Sequence, residues 1–221
     1  MNILYLDQQI VVVDKPCGMP VHRDKFSAFG EKACLQELRD QLKSLVYPVH
    51  RLDRPTSGIL MFALNKDALS KLSKQFMERK VSKTYLAVVR GWILKETTCS
   101  DALTDDGHVR DALTTFRPIK NFEFSWPNKN FTSSRYSLVE VLPNTGRFHQ
   151  IRRHANHIGH PIVGDTTHGD GHHNRLWRDK LHCQRLLLHA SELRFSHPET
   201  HERLHIKLNA PFQDLVLDPS F

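Results

Sequence analysis

The chain of 221 residues is long enough for one sizeable core or two small lobes, but it is too short for several independent domains. Lysine and arginine outnumber aspartate and glutamate by 31 to 24, and the net charge of +7 favours polyanionic partners. No apolar run reaches the length of a membrane-spanning helix, and acidic residues interrupt the N-terminal segment, so the sequence argues against membrane insertion and secretion.

The first half of the chain alternates short apolar runs with amphipathic segments. Residues 3–6 and 10–13 predict two adjacent strands, because apolar and β-branched side chains are separated there by only three polar residues. Hydrophobic residues then recur at helical spacing among charged ones, which predicts helices over 31–43 and 66–79. Two further strands are predicted from the apolar runs at 59–64 and 83–91.

The second half of the chain is less regular. Polar stretches at 95–111 and 121–134 predict surface insertions around a strand near 113–117. The pattern at 150–157 predicts a helix, with Gly159 placed to stop it. Because strands and helices mix without a regular strand–helix–strand alternation, we predict an α+β fold. The remaining strands are predicted at 136–142, 185–193 and 203–208.

The cysteines and histidines do not follow known metal motifs. The four cysteines lie far apart without a C-x-x-C pair, which indicates reduced thiols in a cytoplasmic protein. Two groups of histidine and aspartate lack a recognised ligand spacing, so we predict surface or RNA-facing histidines and no bound metal. These groups are His154, His157 and His160, and Asp165, His168, Asp170 and His172.

Three segments combine basic and chemically active residues. The segments "KPCGMPVH" and "HRLDRPTSG" are each compatible with simple turns, and "TGRFHQIRRH" is compatible with a solvated basic helix face. However, Arg152 lies on a helix face that can point into the interior, where burying an unpaired guanidinium costs free energy. Asp53 is the candidate partner, and an arginine beside it would keep that carboxylate ionised as a nucleophile or base.

Four segments, taken in order, resemble the signature segments of the RluA family of pseudouridine synthases: "KPCGMPVH", "HRLDRPTSGIL", "KTYLAVVRG" and "PNTGRFHQIRRHANHIGHPIVGD". The resemblance covers the chain from residue 3 to about residue 208. It implies an α+β fold with a mixed, largely antiparallel sheet, flanking helices and a central RNA-binding cleft. It also implies that no metal or organic cofactor takes part. We therefore expect a single catalytic domain over residues 1–221, without an S4-type RNA-binding domain.

The resemblance also implies roles for individual residues. Asp53 corresponds to the nucleophile, Arg152 to the arginine paired with it, and Tyr85 to the active-site tyrosine. Arg51 corresponds to the arginine that enters the RNA helix in place of the flipped base. Basic residues of the same segments are expected to contact RNA. These are Lys15, His22, Arg51, Arg54, Lys83, Arg147 and His149.

The implied reaction turns uridine into pseudouridine without a gain of atoms, because the base leaves C1′, rotates and rejoins through C5. Asp53 could attack C1′ or C6 or remove the 2′ hydrogen, and the sequence does not choose among these routes. The pair Arg54 and Pro55 and the segment "GDTTHGDGHHNR" are similar to family members that act on tRNA. Transfer RNA is therefore the expected substrate. The alternatives are ribosomal RNA, a non-catalytic basic RNA-binding module and a His/Asp metal hydrolase.

Overall fold

The computed structural model of the chain describes residues 1–23, 30, 32–128 and 131–212. These residues group into two compact units. Unit 1 comprises the described residues of Met1–Lys83 and of His189–Leu208, and unit 2 comprises those of Thr84–Leu188 together with residues 209–212. The elements of the described residues are β1 (Asn2–Leu6), β2 (Ile10–Lys15), α1 (Cys34–Leu42), β3 (Tyr47–Pro48), β4 (Ser57–Ala63), α2 (Lys66–Met77), β5 (Ser82–Arg90), β6 (Thr97–Cys99), β7 (Leu103–Asp105), β8 (His108–Arg110), β9 (Thr114–Phe124), β10 (Ser134–Pro143), α3 (Gln150–His157), α4 (Gly171–Leu181), β11 (Leu188–Ser196) and β12 (Arg203–Lys207).

Unit 1 is built on a mixed sheet with the strand order β1-β2-β4-β11, in which β3 also pairs with β4 and β12 with β11. The pairs β1–β2, β2–β4, β3–β4 and β11–β12 are antiparallel, whereas β4 and β11 run parallel. All seven residues of β4 are buried, so both faces of this strand are covered. This position explains why the sequence of β4 is an almost continuous apolar run.

Unit 2 is built on antiparallel strands in the order β5-β10-β9-β6, with β7 and β8 forming a separate hairpin. Helix α3 contributes Ile151 and Ala155 to the buried cluster that contains Phe116, Val139 and Val141 of the sheet. The described elements therefore form an α+β fold with mixed, largely antiparallel strand pairing, as the sequence predicts.

Most of the predicted elements are confirmed at nearly their expected positions. The predicted strands at 3–6 and 10–13 are β1 and β2, which pair as antiparallel neighbours. The helix predicted over 31–43 is α1, although residue 31 lies outside the described residues. The helix predicted over 66–79 is α2, where the Asn65 side chain caps the helix by accepting the Ala68 N–H. Within the described part of the chain, no helix has the length and apolar character needed to cross a membrane.

The prediction of surface insertions at 95–111 and 121–134 is wrong in part. The first stretch contains β6, β7 and β8, and the second contains the end of β9 and the start of β10; residues 129 and 130 lie outside the described residues. Phe124 stacks on Trp126 with 4.0 Å between ring centroids, and both rings pack edge-on against the buried Trp177. Aromatic residues thus cover one face of a strand whose other face is polar. The mean polarity of residues 121–134 does not reveal this alternation.

Helix α4 is not predicted by the sequence pattern. The Asp170 carboxylate caps its first turn by accepting the backbone N–H groups of His172 and His173 at 2.9 and 3.3 Å. Trp177, which is fully buried, anchors the helix in the core of unit 2. The two buried side chains of the helix are Trp177 and the polar His173, so its hydrophobic periodicity is weak.

Gly58 allows a close approach of two strands directly after the Asp53 loop. Its φ of +108° is unfavourable for other residues, and an added Cβ would lie 2.3 Å from the backbone oxygen of Ala190. We expect Gly58→Ala to lower the free energy of unfolding by at least about 2 kcal/mol, measured by urea denaturation. Gly107→Ala is the control, because Gly107 has φ +78° but open space around its Cβ. An equal loss in both variants would show that backbone conformation, and not the strand contact, sets the cost.

Candidate active site

The Asp53 loop is held by alternating exposed and buried residues. Leu52 is buried in unit 1 with only 6% of its surface exposed, whereas Arg51 and Arg54 on either side are exposed. Asp53 itself is half-buried, and its carbonyl accepts the Thr56 N–H at 3.0 Å, which closes a turn. The buried leucine fixes the loop, so the carboxylate has a defined position while both flanking guanidinium groups reach solvent.

The segment after β2 clamps this loop from the other side. The Gly18 N–H donates to the Arg54 carbonyl at 2.9 Å, and the Arg54 Nε donates back to the Gly18 carbonyl at 3.0 Å. The Cys17 thiol donates to the Pro55 carbonyl at 3.0 Å. The first two sequence motifs, which lie more than thirty residues apart, therefore form one structural feature in unit 1.

Lys15 bridges the segment after β2 and the Asp53 loop from the interior. It is completely buried, and its Nζ donates to the carbonyls of Pro16, Met19 and Arg54 at 3.0, 2.6 and 3.0 Å. An ammonium group enclosed in this way has no surface to offer to a phosphate. The predicted RNA contact of Lys15 is therefore corrected to a positioning role, in which its charge is satisfied by the carbonyls of the loop.

A buried serine and histidine support the end of the same loop. Ser57 begins β4 directly opposite His189 of β11, and the Ser57 Oγ lies 2.8 Å from the His189 Nδ1. Both side chains are almost fully buried, with 3% and 1% of their surface exposed. No local pattern predicts this pair, because its members are 132 residues apart.

His50 and Lys83 form an electrostatic feature beside the loop. Burial, together with a smaller repulsion from Lys83, lowers the pKa of His50 to about 3, so the imidazole is neutral. Its Nε2 accepts the Met61 N–H at 3.1 Å, and its ring stacks on Phe76. Burial also lowers the pKa of Lys83 to about 8, so this ammonium remains mostly charged at neutral pH but titrates just above it.

Tyr85 lies near the start of β5 in unit 2. It stands opposite Val141 of β10, is half-buried, and packs against the main hydrophobic cluster of that unit. This position fits a tyrosine whose ring is held by the core on one side. Its role in catalysis stays a prediction.

Arg152 is buried, as its position on the inward face of the helix predicts. Its anionic partner in unit 2 is Asp165. Its Nε and Nη2 donate to the two carboxylate oxygens of Asp165 at 2.7 and 2.8 Å, and both side chains are at most 3% exposed. Burial opposes ionisation of Asp165, but hydrogen bonds from Arg152 and from the N–H groups of His168 and Thr167 outweigh it and hold the pKa of this carboxyl below its usual range. From its spacing to histidines, Asp165 is only a candidate metal ligand, although it ends the "PIVGD" part of the fourth motif. The pairing of Arg152 with Asp53 stays a prediction.

The remaining predicted RNA contacts are distributed over both units. In unit 1, His22 is half-buried, whereas Arg51 and Arg54 are exposed. In unit 2, the Arg147 Nε donates to the Asp111 carbonyl at 3.1 Å. His149 is half-buried and precedes helix α3 with a φ of +52°. These positions give the exposed arginines access to a polyanion, and their contacts with RNA stay predictions.

One group of described residues has the geometry of a metal site. The ligand atoms of Cys99, Asp101 and His157 lie within 4.8 Å of one another, and this set differs from both groups considered in the sequence. Burial raises the pKa of the Cys99 thiol, which opposes the thiolate that a metal requires. The Asp101 carboxylate already accepts hydrogen bonds from this thiol and from His157. This group contains none of the residues that the resemblance assigns to catalysis.

Comparison with known proteins agrees with this architecture. The family model of RNA pseudouridylate synthases matches residues 9–157, so the chain belongs to that family. Over 219 residues the chain is 45% identical to tRNA pseudouridine synthase C of Vibrio parahaemolyticus, a match that covers 94% of this chain and 89% of the relative. It is 46% identical over 221 residues to tRNA pseudouridine synthase C of Vibrio cholerae, with 94% and 90% covered.

Solved structures of the same family have a similar fold. Human RNA Pseudouridylate Synthase Domain Containing 1 matches with a TM-score of 0.76 and 29% identity, covering 98% of this chain and 86% of that chain. Human RNA Pseudouridylate Synthase Domain Containing 4 matches with a TM-score of 0.71 and 26% identity, covering 95% and 88%. The fold is therefore the pseudouridine synthase fold, and the protein is an isomerase of uridine in RNA.

Proposed function

We propose that this isomerase converts a specific uridine of tRNA to pseudouridine in the cytoplasm. The observation that carries the proposal is the similarity to relatives named tRNA pseudouridine synthase C, which extends over about nine-tenths of both chains. The net charge of +7 suits a polyanionic substrate. The proposed catalytic residues are Asp53, Arg152 and Tyr85.

The reaction requires that the C1′–N1 bond breaks, the base rotates, and a C1′–C5 bond forms while the hydrogen at C5 is lost and N1 gains a proton. One ionised carboxylate is sufficient for the attack at C1′ or C6 or for removal of the 2′ hydrogen, and Asp53 fills this role on each route. The buried Leu52 and the clamp at Gly18 support the proposal, because they hold the carboxylate in a fixed position. Tyr85 is proposed to stack on the extruded base or to assist proton transfer at C5.

The RNA is proposed to contact cations on both units, of which Arg51 and Arg54 are exposed and Lys83 and Arg147 are half-buried. Arg51, Arg54, Lys83 and Arg147 provide guanidinium or ammonium groups for phosphates, and His22 and His149 provide imidazoles. The target uridine has to leave its stack before it can reach Asp53, because chemistry at C1′ and C5 is blocked inside a helix.

Modification of defined transcripts tests the choice of substrate. Purified enzyme is offered unmodified tRNA transcripts and unmodified ribosomal RNA transcripts, and pseudouridine is mapped in each. We expect modification of tRNA at a defined site, and we expect a chelator to leave the rate unchanged. Clean modification of ribosomal RNA with tRNA untouched would overturn the tRNA assignment, and binding to both RNAs without pseudouridine in either would favour a non-catalytic module.

Arg51 has a testable role in base flipping. Its exposed guanidinium lies two residues before Asp53, so it can fill the gap that the extruded uridine leaves in the stack. We expect Arg51→Ala to slow single-turnover modification of a native stem-loop by about tenfold or more, because extrusion costs a few kcal/mol. The loss should be much smaller on a stem-loop with a mismatch at the target, where the base is already unstacked. An equal loss on both substrates would mean that Arg51 only binds phosphate or supports the loop.

A further inference from the structure

Phe148 is an exposed aromatic residue in the otherwise well-anchored loop before α3. Its side chain is 64% exposed, whereas Thr145 and Gln150 on either side are buried. The Gln150 amide oxygen accepts the Thr145 hydroxyl at 2.7 Å and the Arg147 N–H at 3.0 Å. The hydrophobic effect opposes such exposure of a phenyl ring, and the loop has no freedom to turn it inward.

The ring of Phe148 is held by a neighbour on one face. It stacks on the His149 imidazole with 3.7 Å between centroids and 19° between planes. The His149 Nδ1 lies 3.0 Å from the His168 Nε2, so the imidazole below the phenyl ring is itself fixed. The side chain therefore presents a rigid, flat and apolar surface to solvent.

The main chain of Phe148 is tied to the β7–β8 hairpin. The Phe148 N–H donates to the Asp105 carboxylate at 3.2 Å, and the Arg153 guanidinium lies within 3.5 Å of both that carboxylate and the Phe148 carbonyl. On the hairpin, Asp105 pairs with His108 at the turn, and all three residues of β8 are exposed. Phe148 thus lies beside the Arg153 guanidinium, and Arg147 directly precedes it in the chain.

An exposed aromatic ring on a loop that also carries Arg147 and Arg153 suits a partner that offers both a flat apolar face and negative charge. Every nucleobase has a π-face that stacks on an aromatic side chain, and every nucleotide carries a phosphate for an arginine. A base within a continuous duplex cannot stack on the ring, because both of its faces are already covered. An unpaired base of RNA has both properties, because its π-face is free and its phosphate is negatively charged.

We infer that Phe148 is a stacking site for an unpaired nucleobase of the RNA substrate, with His149 as the residue that positions its ring. The inference rests on the proposed function, since it names a further contact with the same RNA. It adds a stacking contact to the phosphate contacts of the arginines. This contact provides selection for loops and bulges over continuous helices.

Equilibrium binding to two RNA probes tests the inference. One probe is a tRNA stem-loop, and the other is a duplex of the same stem without the loop. We expect Phe148→Ala to weaken binding of the stem-loop by roughly 10-fold to 100-fold and to leave the duplex within about twofold. Phe148→Tyr should retain binding, and the slope of affinity against salt should stay unchanged because no phosphate contact is lost.

The controls separate stacking from folding and from catalysis. Phe131 is 71% exposed in the same unit, so Phe131→Ala serves as the matched variant and should bind both probes normally. Equal weakening on both probes, or no weakening on the stem-loop, would overturn the stacking site. Formation of pseudouridine in tRNA by the wild-type enzyme is measured separately. Its absence would overturn the proposed function, whereas a Phe148-dependent preference for the stem-loop would still support the stacking site.

Discussion

Asp53→Asn is expected to abolish pseudouridine formation, with turnover reduced more than about 1000-fold. The substitution is nearly isosteric, but the amide is neither a nucleophile nor a base, so every route open to the carboxylate is lost. The loop should keep its shape, because it is fixed by Leu52 and by backbone hydrogen bonds to Thr56 and Gly18. RNA affinity should remain within a few fold of the wild type. Single-turnover pseudouridine formation and equilibrium RNA binding measure the two quantities separately.

Asp67→Asn is the matched control for this experiment. Asp67 lies in α2 of the same unit, is 71% exposed and pairs with Lys71, so its replacement removes the same charge far from the loop. This variant should keep normal turnover. If Asp53→Asn retained even a tenth of normal turnover on its best RNA, the nucleophile assignment would be wrong. A large loss of RNA affinity in that variant would instead assign Asp53 to binding.

Asp165→Asn is expected to destabilise unit 2 by about 3 to 5 kcal/mol, because it removes the charge of a buried carboxylate that accepts two hydrogen bonds from the buried Arg152 guanidinium. The same change weakens the carboxylate hydrogen bonds to the N–H groups of Thr167 and His168. Arg152→Ala should also lower the free energy of unfolding, and Arg152→Lys should restore only part of that loss, since an ammonium group cannot reproduce the bidentate pairing. Urea denaturation of the four proteins gives the free energies of unfolding.

The pH dependence provides an independent check on Asp165. Its pKa is lower in the folded protein than the usual 3.8, so its contribution to stability is complete above that value and is lost as the pH falls through the folded pKa. Stability should therefore fall less steeply in acid for Asp165→Asn than for the wild type. Glu96→Gln is the control, because Glu96 pairs with Arg117 at 2.6 Å with both side chains about half exposed. If Asp165→Asn and Glu96→Gln flattened the acid dependence of stability equally, burial would not strengthen the Arg152 pair.

Local sequence patterns are enough to predict the strand after the Asp53 loop and the helices α2 and α3, whereas the chemical role of Asp53 stays a prediction. The apolar run of β4, the helical spacing of α2 and the stop at Gly159 each depend on neighbours within a few residues, which periodicity records directly. The order of the four motifs identified the family.

The partners of the charged and polar side chains depend on tertiary packing and cannot be predicted from local patterns. Lys15 bonds the carbonyl of Arg54, 39 residues away, and Ser57 bonds His189, 132 residues away. Arg152 finds Asp165 only 13 residues later, but that choice also depends on how the chain turns after α3. A buried charge requires a partner wherever the fold can supply one, so the sequence predicts the need for a partner. Its identity is set by chain packing, because contacts between distant segments leave no periodic signal in the sequence.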